Sequence, residues 1–217
     1  MNKLLITFIL AFFCQSSFAQ LIKIDFNSAF VNVVDPNGTA PAALFDLVSG
    51  YLIFDSATPD TNSTSIPQGS STDEFGEFIG AITDISITFN GLEFRLDNTF
   101  PNLIETASYA GTEVNFDFVA TAKIKSDDTV LDFLFGTNGD GLRGGTIPDP
   151  TDSLPSAGDY AGGSSFITLS SSEDNYELTS DTGIADMFYV VPVPAAVWLF
   201  GSGIIGLIGV ARRKTRV

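Results

Sequence analysis

Carboxylates are the residues of this chain that could do chemistry: 26 Asp and Glu stand beside no histidine and a single cysteine, Cys14. Two carboxyl groups flanking a cleft can hydrolyse a glycosidic bond, one donating a proton while the other attacks or activates water. With so many acids, numerous pairs fall within range by chance, and the sequence singles out none. Carboxylates also hold calcium, which accepts about six to eight oxygens in forgiving geometry. Asn138, Asp140, Asp149 and Asp152 are the candidates for such a site, although their spacing departs from the EF-hand pattern and lacks its closing Glu.

The missing residues exclude more than the present ones assign. Without histidine there is no Ser-His-Asp triad, no His-ligated zinc and no imidazole proton shuttle. The stretch from Gly139 to Gly145 is rich in glycine, but it has no lysine and no strand-to-helix setting, so it reads as a flexible loop rather than a phosphate cradle. Tyr51, Tyr109 and Tyr160 could stack on sugar rings if exposed. The expectation is therefore a protein that is not an enzyme, with no cofactor beyond a possible calcium.

Charge points the same way. All 26 acids lie between Gln20 and Val191, against the five bases Lys23, Arg95, Lys123, Lys125 and Arg143, a net charge of −21 for that segment. Phosphate backbones would be repelled, so nucleic acid is not an expected partner. Solubility outside the cell, or bridging through divalent cations to acidic sugars, fits such a balance.

Both ends are apolar. Lys3 precedes the run Leu4 to Phe13 and a small-residue site at Ser17-Phe18-Ala19, the three zones of a secretory signal over residues 1–19. Such a signal engages the Sec translocon and is cleaved after Ala19. Phe13 stands where lipoprotein processing would need a small residue before Cys14, so Cys14 is expected to leave with the signal, and the exported chain then has no thiol. At the other end Ala195 to Ala211 is uncharged, and a helix of that length spans about 26 Å, just under a hydrocarbon core of roughly 30 Å. Pro192 and Pro194 keep the entry extended, and Trp198 suits the interface. Arg212, Arg213, Lys214 and Arg216 follow as a stop-transfer cluster within the tail 212–217, favouring the cytoplasmic face and leaving everything upstream outside.

That tail resembles a known family signal. Val191-Pro192-Val193-Pro194-Ala195-Ala196-Val197-Trp198-Leu199-Phe200-Gly201, with the glycine-rich helix and basic end, is similar to the PEP-CTERM sorting signal in its VPLPA variant; Val193 stands where that variant usually has Leu. The resemblance covers about a tenth of the chain, residues 191–217. It implies recognition by an exosortase, a membrane cysteine transpeptidase, with processing near Val191 to Ala195. The protein would be anchored in the inner membrane during sorting, then delivered to the cell surface or an exopolysaccharide biofilm matrix. The segments Val48 to Asp60 and Gly80 to Ile85 are more loosely similar to passengers of that family, which mostly lack an assigned activity.

The body between these ends, 20–190, reads as strands. Leu21 to Phe26 and Val114 to Val119 alternate apolar with polar residues. Asn90-Gly91 suits a type I′ turn joining Ile85–Phe89 to Leu92–Leu96, with Phe89 facing Leu92, Ile87 facing Phe94 and Ile85 facing Leu96. A second hairpin is expected across Ser126-Asp127-Asp128. Other strands are expected at Phe30–Val34, Ser49–Phe54, Ser164–Leu169, Tyr176–Leu178 and Met187–Val190, a short helical turn at Ala42–Leu47, and long loops over Ala57–Thr72 and Gly136–Gly163. Many short strands predict an all-β fold, an antiparallel, jelly-roll-like β-sandwich of about eight to ten strands. Sandwich faces and end loops often serve sugars, so a carbohydrate-binding module is the alternative to a non-catalytic matrix protein, and a carboxylate glycosidase a more distant one.

Overall fold

The computed structural model describes residues 20–68, 71–110, 114–127, 129–139, 154, 164–181 and 189–191. Among them there is no helix, and every pairing is antiparallel. The strands are β1 (Leu21–Val34), β2 (Leu47–Asp55), β3 (Thr64–Gln68), β4 (Ser71–Ile79), β5 (Ile82–Phe89), β6 (Leu92–Leu96), β7 (Leu103–Ala110), β8 (Val114–Ser126), β9 (Thr129–Gly139), β10 (Ser164–Ser171), β11 (Tyr176–Asp181) and β12 (Tyr189–Val190).

The expected sandwich is replaced by a closed barrel. Hydrogen bonding runs β8-β6-β5-β2-β1-β11-β10-β9 and returns through β8–β9, so eight strands form a ring. Alternation in a sequence reports which side of a strand is buried, and says nothing about whether the two edges of the sheet meet. Closure here depends on the length of β8: its first part pairs with β7, Arg95 and Leu96 of β6 pair with its Lys125 and Ile124, and its other edge pairs with β9 from Phe116 to Ser126. The three strands β3, β4 and β7 extend from the ring as a flap, because β4 runs into β5 through Gly80-Ala81 and β6 into β7 through residues 97–102.

Both expected hairpins are present. Asn90 (φ 49°) and Gly91 (φ 75°) supply the two positive-φ positions, and Phe89↔Leu92 and Ile87↔Phe94 are partners as anticipated. The ladder ends at Ser86↔Arg95, one pair short of Ile85–Leu96. In the second hairpin Ser126 pairs with Thr129, with Asp127 at φ 49°. The loop expected over 57–72 instead contains β3, an edge strand whose Thr-Ser-Ile-Pro-Gln sequence lacks the alternation that would announce it and whose Pro67 is tolerated at an edge. The turn at Ala42–Leu47 is not helical, since Phe45 has φ 72°.

An eight-stranded barrel is just narrow enough for side chains to fill it. Phenylalanines do much of that filling: Phe54, Phe118, Phe135 and Phe26 form a chain of ring contacts at 5.5, 6.3 and 6.5 Å, and Phe30, Phe89 and Phe94 form another at 5.5 and 5.2 Å. Each such pair is worth about 0.5–1.5 kcal/mol beyond area burial. Gly50 makes room for one of them. It lies opposite Phe26 on β1 and Ile87 on β5, and a Cβ there would sit 2.0 Å from the Ser86 carbonyl oxygen and 2.9 Å from the Phe26 ring. Gly50→Ala should therefore lower stability by about 1–3 kcal/mol or more, measured as a fall in the urea midpoint; a midpoint equal to the parent's would mean that the wall is looser than described.

Candidate functional site

The flap and the first half of β8 line a concavity of about 440 Å³. Strand register decides which side chains share its floor. Phe75, Ala107 and Asp117 are aligned across β4, β7 and β8, and the next row contains Glu77, Glu105 and Val119. Three carboxyl groups therefore lie on one sheet face, with Glu77 and Glu105 directly opposite each other. Asn62 and Thr64 close one side. The preceding loop is laced to β4: Asp60 Oδ1 accepts the N–H groups of Asn62 (2.8 Å) and Glu77 (3.1 Å), and Thr61 donates its N–H and hydroxyl to the Glu77 carbonyl.

Asp117 differs from its neighbours. Its Oδ1 is buried without a hydrogen-bond partner, and burial raises its pKa above the usual carboxylate value. A raised carboxyl pKa is a property that a general acid shares. A glycosidase, however, needs its two carboxyls on opposite sides of the bond, and Glu77 and Glu105 stand side by side on one face. Among the described residues, no group of three or more His, Cys, Asp or Glu is close enough to hold a metal ion.

A second polar cluster lies on the wall of the ring. The half-buried Tyr51 donates its hydroxyl to Asp84 (2.9 Å) and accepts from Arg95 (2.8 Å), which also pairs with Glu93 at 2.6 Å. Burial, then the hydrogen bond to Asp84, raises the Tyr51 pKa. Lys23 sits 4.6 Å from the centre of the ring and pairs with Asp25. Tyr51 is thus a brace joining β1, β2, β5 and β6, its ring already occupied by a cation, rather than the free sugar platform that its type suggested. Tyr109 lies in β7 with its side chain outside the described residues, as is all of Tyr160.

Most of the other expected site residues lie outside the described residues. Asn138 lies in β9, opposite Asp117 and Ser164 in backbone register; Asp140, Asp149 and Asp152, the other calcium candidates, lie outside the described residues. Ala19, Pro192, Val193, Pro194, Ala195, Arg212, Arg213, Lys214 and Arg216 are also outside them. Val191 is described: its N–H donates to the Leu21 carbonyl (2.8 Å), next to the β1–β12 pairs Ile22↔Val190 and Lys23↔Tyr189. Gln20 is held beside it, its carbonyl accepting the N–H and hydroxyl of Ser56. The first and last described residues thus meet at one rim. No described helix is long and apolar enough to cross a membrane. Sequence offered no signal for Glu77, Glu105 and Asp117 among 26 acids; only the pairing of β4, β7 and β8 assembles them.

These features define a closed antiparallel β-barrel with a flap and an acidic concavity. No protein-family model, curated protein or solved structure matches the chain.

The sign of the Asp117 effect is testable. Its folded pKa is raised above the ordinary 3.8, so the folded state holds its proton more tightly than the unfolded chain, and ionisation removes stability as pH rises through and above that value. Asp117→Asn should leave the thermal midpoint at pH 7 equal or higher, and should flatten any decline of the midpoint as pH rises above the ordinary carboxylate value. A midpoint lowered by several degrees at pH 7 would instead assign the carboxylate a stabilising partner.

Proposed function

We propose that the chain is an exported, non-catalytic cell-surface or exopolysaccharide-matrix protein, carried through the Sec translocon and sorted by an exosortase. The observation that carries this reading is the tail: a proline motif at 191–195, an uncharged stretch at 195–211 and a basic end, with no acid after Asp186. The barrel geometry supports it. Gln20 and Val191 emerge together at one rim, so a leader removed after Ala19 and a tail handled at Val191–Ala195 would both leave the folded body without cutting any ladder of the ring. The surplus of acid and the lack of histidine suit a solvated, catalytically quiet surface.

A carbohydrate-binding role is the second reading, favoured by the 440 Å³ concavity beside Phe75. A glycosidase has only the raised Asp117 in its favour, and its flanking carboxyls are not opposed.

Intact mass of the mature protein, from cells with and without the processing enzyme, tests the first reading. The account expects loss of residues 1–19 in both and loss of a C-terminal segment beginning near 191–195 only where the enzyme is present. The same C-terminal mass in both strains would overturn exosortase handling.

A further inference from the structure

The rim opposite the chain ends carries an apolar patch that the reading above does not use. β1 starts beside Val190 and reaches Phe30 about 26 Å further along the strand, at 3.3 Å per residue. There the 35–46 connection folds across the rim, tied by Phe45 N–H to the Phe30 carbonyl (2.8 Å) and by Asn90 to the Pro41 carbonyl and Asp46. Phe45 is 72% exposed and Leu47 70%, with Val31 and Leu44 about half exposed. Phe45 adopts φ 72°, a conformation costly for a bulky side chain, so the aromatic ring is displayed in spite of local backbone preference. Beside it an open concavity of about 560 Å³ is floored by Val33, Ala40, Pro41 and Ala43.

Two carboxylates wall that floor. Asp35 accepts the N–H groups of Thr39 and Ala40, and Asp46 those of Ala43 and the Asn90 amide, bonds that hold both carboxyls below the usual range and keep them ionised. The turn at 172–175 is bonded to the same connection through Asn37 and Thr39, adding Glu173 and Asp174. The connection contains no base.

Charge and shape select the occupant. A second copy would bring two strongly acidic bodies together, and an anionic lipid surface would be repelled. A peptide adding a strand finds no free edge, because β1 pairs with β2 and β11, and β2 with β1 and β5; an amphipathic helix finds small residues rather than deep sockets. A pyranose ring bearing an ammonium group meets both requirements, its apolar face on Phe45 and its charge among the carboxylates. We propose that this rim binds a cationic amino-sugar polymer, a chain of glucosamine units carrying free amines. This ligand class rests on the extracellular reading above.

The test is calorimetric titration of the full chain, held in zwitterionic lipid nanodiscs, with a glucosamine hexamer, its N-acetylated neutral form and an oligolysine of equal charge. The free amine should bind saturably, about tenfold or more tighter than the acetylated form. Phe45→Gly, which suits the positive φ, should weaken it by about tenfold while leaving the thermal midpoint unchanged or higher. Absence of binding, equal affinity for the acetylated hexamer, or indifference to Phe45→Gly would overturn the proposal. Oligolysine binding as tight as the sugar would assign the rim to polycations in general and overturn it too. Failure of export would show in the mature mass and leave this titration untouched.

Discussion

One strand constrains the whole body. β8 must serve three partners, β9 from Phe116 to Ser126 on one edge and β7 then β6 on the other, and this sharing turns a curled sheet into a ring. The β6–β8 seam contributes only two residue pairs, Arg95↔Lys125 and Leu96↔Ile124, continued by the Asp97 N–H to the Lys123 carbonyl (2.8 Å), so closure cannot rest on its hydrogen bonds alone. Packing inside supplies the rest. Phe118, fully buried on β8, reaches Phe54 on β2 and Phe135 on β9, joining both sides of the barrel through one aromatic contact chain. The flap is a consequence: once β8 commits its first half to β7, the strands β4 and β3 must extend outward from the ring, and the acidic concavity forms on their face.

Electrostatics makes the opposite demand. Each described base of the barrel body has an acidic partner: Lys23 with Asp25, Arg95 with Glu93, Lys123 with Asp132, Lys125 with Asp97. Between Gln20 and Val191 acids outnumber bases 26 to five, a repulsion that ions in solution screen over about 8–10 Å. Asp97 illustrates how single acids are accommodated, its pKa lowered first by the Thr99 hydroxyl and N–H, with Lys125 beyond. Asp117 has no such help and is raised. A barrel held from inside by apolar rings can tolerate this surface, and it leaves carboxylates at both the flap and the far rim for cationic partners.

Local features were legible in the sequence and global ones were not. Asn90-Gly91 specifies both turn and register because both residues tolerate the positive φ that a type I′ turn requires between alternating strands, and the β8–β9 hairpin is announced by the alternation on both sides of its polar turn. The step from strands to ring depends on edge contacts between residues far apart in sequence, such as Arg95 and Lys125, for which alternation has no symbol. β3 was hidden by its polar, proline-containing sequence, and β4 and β7 by polar and small residues that blur the two-residue period. The surroundings of Tyr51 carry no sequence signal, because the cations beside it come from β1 and β6. The acids of the concavity had no sequence signature at all.

Closure is the central claim, and the absence of cysteine between Gln20 and Val191 makes it directly measurable. Arg95→Cys with Lys125→Cys, in a chain carrying Cys14→Ser, places two thiols on exposed, directly paired positions of β6 and β8. The account predicts a disulfide formed in high yield under mild oxidation of the folded protein, detected by mass after digestion. Two thiols that stay free while the fold is intact would mean that β6 and β8 do not meet, and the barrel would have to be redrawn as an open sheet.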